Sequence, residues 1–68
     1  MAEWQKVFET ESAVRSEIVK GVLEENGITA IILNKKESVY QIHGNYEVMV
    51  SSSETIQAIN IINNEITF

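Results

Sequence analysis

Apolar and polar positions alternate along this chain with two periods, and the period changes at residues that favour turns. Trp4 to Thr10 carries aromatic and β-branched residues and reads as a first strand. Its parities are Trp4, Lys6, Phe8 and Thr10 against Gln5, Val7 and Glu9, and neither is cleanly apolar. Val7 is expected to face the helices, with Trp4 and Phe8 on the opposite face.

From Ser12 the period lengthens. At about 100° per residue, Ile18, Val19, Val22 and Leu23 fall on one arc and Glu17, Lys20, Glu24 and Glu25 on the other. Thr10 and Ser12 both suit an N-cap. Gly27 suits the left-handed position just past a helix. A helix over Ala13 to Asn26 is therefore predicted, followed at once by a strand, Ile28 to Asn34. That strand is apolar on both parities, a pattern typical of strands covered on both faces.

Asn34 to Asn45 reads as a long irregular connection, expected to be mobile, with a brief hairpin extension over Val39 to Ile42 as the alternative within it. Tyr46 to Val50 is the third strand, with Tyr46, Val48 and Val50 on one face and Glu47 and Met49 on the other. Ser51 and Glu54 have capping-box spacing and open a second helix. Its inward arc is Thr55, Ala58, Ile59 and Ile62, while Ser53, Gln57, Asn60 and Asn64 face water. Asn63 and Asn64 form its expected stop, and Ile66 to Phe68 is expected to return as a short edge strand. The element order is then βαββαβ. This predicts an α+β, ferredoxin-like fold: an antiparallel sheet with two helices on one face.

Composition narrows the function classes. The chain has 68 residues, which predicts a single domain, residues 1–68. It holds no cysteine, which removes disulfides, thiolate metal sites and cysteine nucleophiles, and makes cytoplasmic the default localisation. The N-terminus shows no leader pattern, and no apolar run is long enough to span a bilayer. The net charge of −5 argues against a nucleic-acid partner.

Candidate chemistry is sparse. His43 is the one histidine, and Glu37 and Glu47 near it have no metal-site spacing. Ser51 to Ser53 read as capping residues rather than a nucleophile or phosphate turn. No catalytic, cofactor-binding or metal residue is expected, and an enzyme is not expected. The candidate interaction residues are Trp4, Phe8 and Met49 on the outer face of the sheet, and Lys35, Lys36, Tyr40 and His43 in the long connection.

The run Glu17-Ile-Val-Lys-Gly-Val-Leu-Glu-Glu-Asn-Gly-Ile28 follows Trp4-x-x-Val7-Phe8 and precedes Glu47-Val-Met-Val50 and a capped helix. In these features the chain resembles a family of small bacterial domains of unknown function, labelled putative prokaryotic signal-transducing proteins and grouped with PII-like folds. The resemblance implies a PII-like domain with a regulatory role and brings no catalytic residue. By analogy with PII proteins, it places signalling in the loop from Lys35 to Asn45. The expected function is a small regulatory module that binds a ligand or a protein partner. The alternative is an assembly unit that acts through its open sheet face. Self-association is expected there or at the sheet edges, with a dimer first and a PII-like trimer second.

Overall fold

The computed structural model describes residues 3–34 and 45–67. Within them the chain forms strand β1 (Trp4–Thr10), helix α1 (Ala13–Glu25), strand β2 (Ala30–Asn34), strand β3 (Tyr46–Ser51), one 3-10 turn (Ser52–Glu54) and helix α2 (Thr55–Glu65). The three strands make one sheet in the order β1-β3-β2, and both neighbour pairs are antiparallel. β1 and β2 thus run parallel with β3 between them, so β1, α1 and β2 form a split βαβ unit.

Helix α1 begins where its caps allow. The Ser12 hydroxyl accepts from the Arg15 amide at 3.2 Å, and the Thr10 hydroxyl accepts from the Ser12 amide at 3.1 Å. Both expected cap residues therefore act, one on the helix and one on the turn leading into it. The helix ends in a Schellman motif. The Gly27 amide donates to the Glu24 carbonyl and the Ile28 amide to the Leu23 carbonyl, each at 3.0 Å. Gly27 holds φ +82°, where a side chain is strained. Ile28 and Leu23 are both buried, which supplies the motif's usual apolar contact. Because Ile28 serves this motif, β2 starts at Ala30 rather than at Ile28.

The core is small and one-sided. Val48 and Val50 of β3, Ala30 of β2, Val19 and Leu23 of α1, Ala58 of α2 and Ile28 form one buried cluster. Both helices thus meet the same face of the sheet. The buried face of α1 is Ser16, Val19 and Leu23, rotated from the predicted arc. Ile18 is exposed and Val22 only partly covered. Ser16 enters the interior because its hydroxyl donates to the Ala13 carbonyl at 2.7 Å and leaves no unsatisfied polar atom. In α2, Ile61 and Ile62 pack on the cluster, while the expected Ile59 is exposed. Ser53, Gln57, Asn60 and Asn64 are not buried, as their spacing predicts.

The expected capping box at Ser51 does not form. Ser51 pairs through its hydroxyl with Ser53 at 3.1 Å, and a 3-10 turn occupies the junction before α2. Asn63 and Asn64 do not stop α2, since no described residue other than glycine has positive φ. The helix runs to Glu65, and the Ile66 amide still donates to the Ile62 carbonyl at 3.1 Å.

That last bond bears on the expected fourth strand. Ile66 packs against the core with its amide committed to the helix, and Ile66 and Thr67 carry no strand. Phe68 lies outside the described residues. Asn26, just before β2, donates from its side chain to the Glu65 carboxylate at 3.0 Å. Ser51, just before α2, pairs with Trp4, and Val50 pairs with Ala30. Both ends of α2 are therefore held at the end of the sheet where β1 and β2 begin. The described architecture is α+β, strand-helix-strand-strand-helix.

Candidate functional site

Strand pairing fixes which residues share the face away from the helices. β1 carries a bulge at Val7: Lys6 stands opposite Met49 and Phe8 opposite Val48, leaving Val7 as the extra residue. The phase of the strand changes there. Gln5 shares the inner face with Val50, and Phe8 shares it with Val48. Val7 and Phe8 both pack on the core. Phe8 is thus not on the outer face, which corrects its candidacy as an interaction residue. The bulge explains why neither parity of β1 was clean: no single alternation runs through it.

The outer face can be read in rows across β1, β3 and β2. One row is Lys6, Met49 and Ile31, and the next is Glu9, Glu47 and Leu33. Trp4, opposite Ser51 at one corner, is 43% exposed. Met49 and Ile31 are half-buried and Leu33 is exposed. The expected outer positions of Trp4 and Met49 therefore hold. The face divides by strand: charge collects on β1 and at Glu47, while apolar side chains collect on β2 with Met49 beside them.

The polar half is tied together. Glu9 and Glu47 are cross-strand neighbours, an arrangement that repels on its own. Lys6 offsets it, with its ammonium 3.1 Å from Glu9 and 3.9 Å from Glu47. The Asn45 side chain donates to the other Glu9 oxygen at 2.7 Å. The Asn45 hydrogen bond, and then Lys6, hold the Glu9 carboxyl below its ordinary pKa. The hydrogen bond and charge of Glu9, followed by the charge of Glu47, hold the Lys6 ammonium above its ordinary pKa. Lys6 and Glu9 are open to solvent, so the network organises the surface more than it stabilises the fold.

Lys35, Lys36, Tyr40 and His43 lie outside the described residues, as do the hairpin extension Val39 to Ile42 and nearly all of the connection expected to be mobile. Among the described residues no three His, Asp or Glu side chains gather in a metal-binding arrangement, and no helix is long and apolar enough to cross a membrane. Ile31 and Leu33 were not among the named candidates. The strand's two apolar parities were visible in the sequence, but which of them faces outward is decided by pairing, which sets Ile31 beside Met49 and Leu33 beside Glu47.

A one-sided αβ layer, with a divided sheet face that neither helix covers, is the frame into which comparison with known proteins fits. Residues 4–65 match the family described as "Putative prokaryotic signal transducing protein", and the chain belongs to that family. No curated protein and no solved structure matches the chain.

Proposed function

We propose that this chain is a cytoplasmic bacterial regulatory module that works by binding a protein partner rather than by catalysis, and that the outer sheet face is its contact surface. The observation that carries this reading is the strand register that sets Trp4, Met49, Ile31 and Leu33 on one face, beside a fixed charge network, in a member of a signal-transducing family. Apolar side chains beside oriented charges suit a protein contact: the first supply area, and the second supply specificity and register. The ferredoxin-like, PII-like reading is part of this proposal. The order β1-β3-β2 is that of three of the plan's four strands, and α2 follows β3 as it requires; the fourth strand, beside β1, is not among the described residues. The net charge of −5 favours a protein over a nucleic-acid partner.

The test is affinity capture from bacterial extract, with each captured protein identified and its binding remeasured with purified components. Trp4→Glu and Met49→Lys should each weaken that binding at least tenfold. Ile56→Glu, on the exposed side of α2, should leave it unchanged. Equal binding by all three variants would remove the outer face as the contact surface.

A further inference from the structure

The two edges of the sheet differ. β1 carries the bulge at Val7 and the charged residues Lys6 and Glu9, two devices that discourage a further strand from adding there. β2 carries neither. Its pairing with β3 is regular from Ala30 to Asn34, and Ile28 to Asn34 contains no charged residue. Among the described residues no strand lies beyond β2. A short, regular, apolar and uncharged strand at an edge is a template for another strand.

We propose that the occupant of this edge is a second copy of β2, paired antiparallel about a two-fold axis at Ile32. This goes beyond the partner contact proposed above and does not depend on it. Three observations select a copy of the same chain. First, β2 is self-complementary in this register. Ile32 faces its own mate, and Ile31 faces Leu33 of the other copy on the outer face, an apolar cross-strand pair.

Second, the charge distribution permits it. The chain carries −5 overall, so two copies repel across most of their surfaces, but the seam from Ile28 to Asn34 is neutral on both sides. Third, pairing completes the outer face. Its rows would read Lys6, Met49, Ile31, then Leu33, Glu47, Glu9 of the other copy. The apolar half-faces meet in the middle, and the charged network lies at both rims. This is the arrangement of an ordinary interface, apolar at the centre and polar at the edge.

Symmetric two-fold dimers are the commonest soluble oligomers. A seam of one short strand per copy is small against the ~1,000 Å² of a lasting interface, so the dimer forms reversibly across the micromolar to millimolar range.

The absence of cysteine makes cross-linking a clean test. Ile32→Cys places the thiol on the axis, where paired Cα atoms stand about 4.5–5.5 Å apart, within disulfide reach. Leu33→Cys places it off the axis and out of reach in this register, and Val14→Cys, 68% exposed on α1, reports random collision. Under mild oxidation the Ile32→Cys variant should cross-link at least tenfold faster than the other two. Equal rates in folded proteins would overturn the proposal.

A second measurement uses the unmodified chain and does not depend on the Ile32→Cys variant folding. On raising the concentration, amide shifts should move at Ala30 to Leu33, and average mass should rise in sedimentation. Leu33→Lys should abolish both changes. A chain that stays monomeric at millimolar concentration, or whose shifts move elsewhere, would also overturn the proposal.

Discussion

At the scale of single residues, Glu9 gathers more partners than its exposure suggests. It accepts from Asn45 and Lys6 and faces Glu47 across the strands. Its folded pKa lies below the unfolded value. The stabilising contribution is therefore present above the unfolded carboxylate pKa and is lost as pH falls through the lower, folded pKa. Asn45→Ala removes the leading cause and should move the Glu9 titration up towards the ordinary carboxylate range, as read by NMR; an unchanged midpoint would leave Lys6 as the main cause. Gly21 raises a different question. It lies mid-helix and exposed, and a Cβ there would meet nothing within 4 Å. Gly21→Ala should stabilise α1 by about 1 kcal/mol. In a domain of this size that is a rise of roughly 4–8 °C in melting temperature. A fall in melting temperature would mean that another surface comes close to the helix at that point.

At the scale of elements, the rotation of α1 is testable. Leu23 is fully buried and Ile18 is 45% exposed, although periodicity placed both on the inward arc. Leu23→Ala should cost about 2–5 kcal/mol, whereas Ile18→Ala should cost well under half of that, both measured by urea denaturation. Equal losses would restore the arc read from periodicity. The elements themselves were largely legible. β1, α1 and β3 were predicted almost to the residue, because Ser12, Gly27 and the alternation of Tyr46 to Val50 are local signals. What was hidden depended on tertiary contact. Ser16 is polar and gives no apolar signal, yet a bond to its own helix lets it be buried. The bulge at Val7 exists only relative to β3. Ile66 read as a strand residue because its type suits one, but the core and the last turn of α2 hold it. For the candidate site, Met49 and Trp4 were placed from parity alone. Phe8 was misplaced by the same rule, because parity fails across a bulge.

At the scale of the whole molecule, total stability should be only a few kcal/mol, from roughly 0.05–0.15 kcal/mol per residue. The buried cluster, with the side chains packed on it, draws on every strand and helix, so a lost contact in any element is felt by all. Length changes should be poorly tolerated for the same reason. A one-residue deletion inside a strand normally turns every later side chain to the wrong face. The bulge makes one exception. Without Val7, Lys6 would be followed directly by Phe8, and simple alternation would keep Lys6 opposite Met49 and Phe8 opposite Val48. A chain lacking Val7 should therefore fold with the same cross-strand neighbours, detectable as unchanged NMR contacts, and lose only what Val7 itself adds to the core. Contacts shifted by one residue along β1 would show that the bulge is needed to set the register. In evolutionary terms β1 carries a spare residue: a chain one residue shorter there, in the middle of a strand, would still keep the same inside and outside.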